Sequence, residues 1–231
     1  VPNVLDLVGL GLAGLRVEDE DAEIGAGALL QDVADSPIAH AATAGLLPAA
    51  CRVAVPSRLL RGMATIGGEA VNDDPDSELV AALLALNAVF VVAHPDEIRE
   101  SPALRFLRNP AADLAGGGIL RTVLIPGTPH GAALERAAAL PSMPPLVAVA
   151  VTTTFSGEKL ARVRLALTGL SGPPLRVIEA EAQLERTAGE EDVLEKAADL
   201  VCSRAPFRDD VWATAEDRRR IQPLVQALQS D

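Results

Sequence analysis

Between Leu79 and Ala93 the chain reads LVAALLALNAVFVVA, a run whose single polar side chain is Asn87. Such a stretch must enter a core. It falls short of the roughly 20 apolar residues that a membrane-spanning helix needs, so membrane insertion is not expected. Its two halves carry different signatures. Glu78 to Leu86 predicts a helix with Leu79, Leu83 and Leu86 on one face. Ala88 to Ala93 predicts a buried strand by length and β-branching. Hydrophobic residues make up 49% of the 231, yet aromatics are only 2% and Tyr is absent. The core must therefore be built from Ala, Val and Leu, in shallow layers of small side chains.

The remaining pattern is that of an α+β chain. Val4 to Val8 and Ala22 to Ala26 predict strands. Leu29 to Val33 starts a helix, and a further helix is expected from Ile38 to Val53, where Leu46, Leu47, Ala50 and Val53 follow a 3.6-residue period. Pro56 ends it, and Arg58 to Asp76 reads as loop. Ile119 to Pro126 predicts another strand, ended by Pro126-Gly127. Composition changes between Gly127 and Gly131. Beyond it, Leu146 to Phe155 and Leu160 to Leu170 form a hairpin around Ser156-Gly157-Glu158-Lys159. In its second strand Val163, Leu165 and Leu167 alternate with Arg162, Arg164 and Ala166, which predicts one wet face. Helices follow over Arg176–Thr187, Glu190–Ser203 and Ala213–Leu228, the last interrupted by Pro223.

Charge and cysteine usage narrow the function. Twenty Lys and Arg stand against 32 Asp and Glu, a net −12. This offers no basic stripe for nucleic acid. Two cysteines, Cys51 and Cys202, make neither a disulfide framework nor a four-ligand zinc site, which fits a reducing, cytoplasmic setting. Cys51 reads as a core thiol. His40, His94 and His130 lie too far apart to suggest a metal cluster. Glu18 to Asp21 and Glu23 read as a solvated loop and strand edge.

Three short motifs remain. Gly9-Leu10-Gly11-Leu12-Ala13-Gly14 matches the dinucleotide fingerprint G-x-G-x-x-G, but that fingerprint requires a helix to follow. Here a β-like run ending in four acids follows, so the match is a decoy. Ala64-Thr65-Ile66-Gly67-Gly68-Glu69-Ala70 pairs two glycines beside Arg61. It is either a tight turn or a place where backbone N–H groups approach a phosphate. In Asn72-Asp73-Asp74-Pro75-Asp76-Ser77-Glu78, Asp76 or Ser77 is expected to cap the helix that follows. These carboxylates lack the spacing of a calcium loop.

The order of these features is more specific than any one of them. Ile24-Gly25-Ala26, then Leu60-Arg61-Gly62-Met63-Ala64-Thr65-Ile66-Gly67-Gly68, then Pro75-Asp76-Ser77-Glu78-Leu79, Gly118-Ile119-Leu120 and Leu124-Ile125-Pro126, resembles the FAD-binding (medium) subunit of the molybdenum hydroxylases. This is the xanthine dehydrogenase and carbon monoxide dehydrogenase family. From about Pro145 onward, Arg164-Leu165-Ala166-Leu167-Thr168-Gly169 and Ala180-Glu181-Ala182-Gln183-Leu184 are similar to the family's C-terminal domain. The resemblance implies an α+β fold with an FAD-binding domain of the PCMH type over residues 1–128. A small antiparallel sheet with covering helices follows over 129–231. It also implies that a first subdomain, with an Ala-Gly-Gly-Thr-type loop, would precede Val1.

The family implies FAD as cofactor and, as partners, a molybdopterin-binding large subunit and a [2Fe-2S] small subunit, with a homodimer also possible. Electrons would pass from iron–sulfur to FAD and on to NAD, oxygen or a quinone, with no catalytic general base on this chain. By this resemblance Val55, Arg61, Ala64, Thr65, Ile66, Gly67, Gly68, Glu78 and Leu120 are the cofactor-binding positions. Thr65, Gly67 and Gly68 would meet the pyrophosphate, and Val55 and Leu120 would flank the flavin. Four positions depart from the family pattern: Gly62 and Glu69 replace asparagines, Glu78 replaces a helix-start aspartate, and Glu135 replaces a lysine. They keep open an alternative, a divergent member that binds no flavin and serves as a structural or docking subunit.

Overall fold

A computed structural model describes residues 6–72, 74, 76–140, 143–170 and 172–220. Two antiparallel sheets organise the chain. The first takes β1 (Leu15–Glu18), β2 (Asp21–Gly25), β3 (Val89–Ala93), β4 (Ile98–Pro102) and β5 (Ile119–Ile125) in the order β1-β2-β5-β3-β4. The second takes β6 (Gly131–Ala137), β7 (Val147–Ser156), β8 (Lys159–Thr168) and the short β9 (Leu175–Arg176) in sequential order. Central strands of the first sheet alternate cleanly: Ile24, Phe90, Val123 and Ile125 are buried while their neighbours are half-exposed. Phe90 stacks on Phe106 with ring centroids 4.2 Å apart.

Eleven helices cover these sheets among the described residues. The first five are α1 (Leu30–Asp35), α2 (Pro37–Ala42), α3 (Leu46–Ala54), α4 (Arg58–Arg61) and α5 (Ile66–Val71). Next come α6 (Glu78–Ala85), α7 (Ala103–Phe106) and α8 (Pro110–Leu114). The second sheet carries α9 (Ile178–Leu184), α10 (Glu191–Arg204) and α11 (Ala215–Arg220). None is long and apolar enough to cross a membrane.

Helix α6 sits at the centre. Every residue from Glu78 to Ala85 is buried, because the helix packs on α3 on one side and on β7 and β8 on the other. Its N-terminus is capped by Ser77, whose side chain accepts from the Leu79 N–H at 3.2 Å. Ala150 and Ala166 of the second sheet join the core of the first unit. Thr152 Oγ1 donates to the Ala85 carbonyl at 2.8 Å, satisfying one of the last carbonyls of the helix. The second core lies on the other face of that sheet, where Val149, Val163, Leu165 and Leu167 meet α9 and α10.

Several expectations change. The strand expected over Val4–Val8 falls partly on residues outside the description. Its end, Val8, instead opens a single 3-10 turn, with the Val8 N–H bonded to Asp6 Oδ1 at 2.9 Å. The helix expected over Ile38–Val53 is two helices, because Ala44 (φ 47°) and Gly45 (φ 78°) adopt left-handed backbone between them. The expected loop of Arg58–Asp76 holds two short helices, each begun by a hydroxyl cap, Ser57 and Thr65. The face of β8 expected to be wet is dry at Ala166, because α6 covers it. Glu18 to Asp21 form a tight hairpin with Asp19 and Glu20 at positive φ. The kink expected at Pro223 lies outside the described residues.

Candidate functional site

The site grows from two segments that cannot tolerate a side chain where they meet. Residues 25–28 leave β2 and run between two neighbours. On one side the Gly25 and Gly27 N–H groups each donate at 2.7 Å, to the carbonyls of Gly14 and Leu12 respectively. A Cβ on Gly25 would lie 2.1 Å from the Leu12 oxygen. On the other side Leu30 N donates to Ala64 O, Ile66 N to Ala28 O and Gly67 N to Ala26 O, each at 2.9 Å. A Cβ on Gly67 would stand 2.7 Å from both Cβ and O of Ala26. Glycine is therefore required at 25 and 67 by close approach of backbone.

Thr65 turns the chain into α5. Its backbone is extended, and its hydroxyl accepts from the Gly68 N–H at 3.0 Å. Gly68 is exposed, and the only atom a Cβ there would crowd is Thr65 Oγ1. The paired glycines therefore form the first turn of a helix rather than a hairpin-like turn.

Between these segments and the start of β5 opens a cleft of ≈ 560 Å³. Its walls are apolar: Leu12, Leu29, Met63, Val71, Ile119 and Leu120. Its floor is small or hydroxylic, with Ala26, Gly27, Thr65, Gly67, Gly68 and Gly118. Asp6 is the one ionisable residue lining it among the described residues. Apolar walls over a floor of glycine and other small residues suit a flat ring system.

The nine expected positions divide. Thr65, Gly67, Gly68 and Leu120 line the cleft. Ile66 is fully buried beneath it, and Ala64 contributes its carbonyl to the strand-like contact with Leu30. Arg61 is buried and spends its guanidinium on the carbonyls of Val55 (2.6 Å) and Pro56 (2.9 Å) and on Gln31 Oε1 (3.1 Å). Val55 and Arg61 thus brace the loop entering α4.

Glu78 lies inside the core, 2% exposed, with Oε1 2.5 Å from Arg136 Nε. Burial raises its carboxyl above the usual range; a backbone hydrogen bond and Arg136 oppose that. Glu69 sits half-buried in the first turn of α5, outside the cleft lining. Its carboxyl is raised first by burial and then by Asp74.

Apart from Leu120, sequence reasoning missed the apolar wall. Leu12 and Ala13 belong to the glycine-rich decoy, which reaches the cleft by looping back on Gly25 and Gly27 and not as a Rossmann turn. The available signal was Gly25-Ala26-Gly27, two glycines one residue apart at the end of a strand.

A family profile described as the FAD binding domain in molybdopterin dehydrogenase matches residues 1–128. A second, the CO dehydrogenase flavoprotein C-terminal domain, matches residues 144–224. The carbon monoxide dehydrogenase medium chain of Afipia carboxidovorans is 30% identical over 227 residues, covering 96% of this chain and 78% of that one. The nicotine 6-hydroxylase medium subunit of Paenarthrobacter nicotinovorans is 28% identical over 170 residues, 73% of this chain and 59% of that one. A chain of the carbon monoxide dehydrogenase from Hydrogenophaga pseudoflava superposes with a TM-score of 0.86 at 26% identity, covering 94% of this chain and 77% of its own. With the two profiles matching in order along the sequence and a medium chain 30% identical over nearly the whole of this chain, the chain belongs to the flavoprotein family of FAD-binding medium subunits of the molybdenum hydroxylases, which are oxidoreductases.

Proposed function

We propose that this chain holds FAD in the cleft between Gly25–Ala28, Thr65–Gly68 and Ile119–Leu120, and relays electrons within a molybdenum hydroxylase. One observation carries the proposal: an apolar cleft of ≈ 560 Å³ floored by glycine within residues 1–128, the part of the chain that the FAD-binding profile matches. When bound, FAD supplies the redox chemistry. The chain's own work is positional. Leu12, Leu29 and Met63 present apolar surface to a ring system and keep water from its faces. Ile119 and Leu120 anchor the opposite wall through the rigid β5–β3 pairing. Thr65 offers its hydroxyl proton to an acceptor, because its oxygen already receives the Gly68 N–H. Gly67 and Gly68 let a phosphate approach the α5 backbone.

The reading divides the chain into a flavin unit over residues 1–128 and a C-terminal unit over 129–231. The partners are an iron–sulfur subunit that delivers electrons and a molybdopterin subunit that oxidises the substrate. NAD, oxygen or a quinone receives the electrons. The test is flavin retention. The purified chain, with any natural upstream residues included, is expected to take up FAD and show flavin absorbance. Gly68→Val is expected to weaken FAD binding by at least about tenfold, the equivalent of 1.4 kcal/mol, with unchanged circular dichroism. A chain that binds no FAD under these conditions overturns the proposal and leaves the structural-subunit alternative.

A further inference from the structure

A second cavity, ≈ 160 Å³, lies where the two sheets meet and shares no lining residue with the flavin cleft. The first unit contributes Glu20, Leu86 and Pro126; the second contributes His130, Arg162 and Arg164, with Thr152–Phe155 behind them. Strand β5 connects the two sites. From Leu120 in the cleft to Pro126 at the cavity the chain advances about 20 Å at strand rise, so the cavity is separate from the cleft.

Its basic groups are uncommitted. Among the described residues no hydrogen bond or ion pair engages the guanidinium of Arg162 or Arg164. Neighbouring Arg176 differs, being spent on Glu181 (2.7 and 2.8 Å) and Asn87 (3.2 Å). Arg164 is half-buried. Burial lowers its pKa first and Arg176 lowers it further, while Glu181 and Glu185 oppose the shift from a distance. A guanidinium withdrawn from water without a carboxylate partner invites an anion. The third group is His130. Its Nδ1 accepts the Phe155 N–H at 2.9 Å, so the neutral ring carries its proton on Nε2 and remains a donor.

The backbone is shaped at the same place. The β7–β8 register shifts between Thr152 and Thr154, and Arg162 takes positive φ (46°) opposite that bulge. Bulges re-aim side chains, and here Arg162 and Arg164 both line one small cavity. This occurs in a chain of net charge −12. Glu20 is the single acid in the lining.

We propose that the cavity binds a compact oxyanion of the phosphate class, which clamps the 126–131 connection onto the β7–β8 sheet. Its volume suits one phosphate group and excludes a dinucleotide. The inference is independent of flavin binding, since the two sites share no residue.

The experiment titrates the full chain with inorganic phosphate at constant ionic strength, with chloride as the matched control. Calorimetry and thermal unfolding are both recorded. Saturable binding and a higher Tm with phosphate than with chloride are expected. The Arg162→Gln, Arg164→Gln double variant is expected to lose affinity by at least about tenfold, as removal of charge-assisted donors predicts. Its circular dichroism and flavin content should stay unchanged. Arg162→Gln alone, at an exposed position, is expected to lose part of the affinity and serves if Arg164 proves necessary for folding. Glycerol phosphate binding more tightly than inorganic phosphate would identify a carried phosphate, and the reverse order a free one. Equal effects of phosphate and chloride, no saturable heat, or undiminished binding in the variants overturns the proposal.

Discussion

A single methyl group at position 67 would collide with Ala26, and a hydroxyl at position 65 decides where α5 begins. The chemistry of such residues was legible in the chain itself: a Thr before Ile-Gly-Gly predicts close backbone approach. The direction each one faces was not. Arg61 beside the paired glycines reads as a phosphate ligand by charge alone. Instead, three acceptors on Val55, Pro56 and Gln31 enclose it, and none of the three is implied by sequence spacing. Cysteines follow the same logic. Burial pushes the Cys51 thiol up to about 12, with Arg52 and Arg61 pulling weakly the other way. Cys202 is half-buried and raised less, by burial and then Asp199. Thiolate is the reactive form. A disulfide reagent at neutral pH should therefore label Cys202 first and leave Cys51 unmodified until unfolding. Mass spectrometry of the labelled peptides reads this directly, and early modification of Cys51 would contradict its burial.

At the scale of elements, helix α6 was legible because its apolar run is long and capped by Ser77. Its environment was not legible. Leu79, Leu83 and Leu86 suggest one buried face, but the alanines between them are buried too, against β7 and β8. Small side chains on both partners are what let a helix pass this close to a sheet. This also explains a chain rich in Ala and poor in aromatics. Enlarging one of them should cost stability through overpacking, typically about 1–3 kcal/mol. Ala166→Leu is thus expected to lower the unfolding free energy by that amount, read as a lower denaturant midpoint at unchanged slope, while Ala182→Leu, on α9, serves as comparison. An unchanged midpoint for Ala166→Leu would mean that the α6 contact is loose. Besides the two-residue β9, two strands escaped sequence reasoning, for opposite reasons. β4, Ile98–Pro102, reads as polar because it is an edge with one buried residue, Ser101. β6 reads GAALERA, a helical composition, and becomes a strand only because β7 offers it a full antiparallel ladder.

Across the whole molecule, one buried ion pair ties the units together. Glu78 begins α6, and Arg136 lies on β6 and also donates to the Met143 carbonyl at 2.6 Å. Arg136→Ala would leave the Glu78 carboxylate buried without its guanidinium, costing about 3 kcal/mol near neutral pH. The pH dependence has a definite sign. Burial raises the folded-state pKa of Glu78 above its unfolded value. The folded variant therefore holds the proton more tightly, and its stability deficit shrinks as pH falls through that raised value. Urea unfolding of both proteins from about pH 7 down to about pH 5 checks this, and a deficit independent of pH would place its origin elsewhere.

The sequence by itself determined the α+β class, the order of motifs that marks the family, and the paired glycines 67 and 68 at the start of α5. These depend on neighbours along the chain, where periodicity, caps and close-approach glycines leave a local signature. Tertiary structure alone decided which expected ligands reach the cleft, that Glu78 faces Arg136, and that β8 is dry at Ala166 on the face expected to be wet. Each of these is a contact between residues far apart in sequence. Such contacts are set by which surfaces pack together, a property that no window of the chain contains.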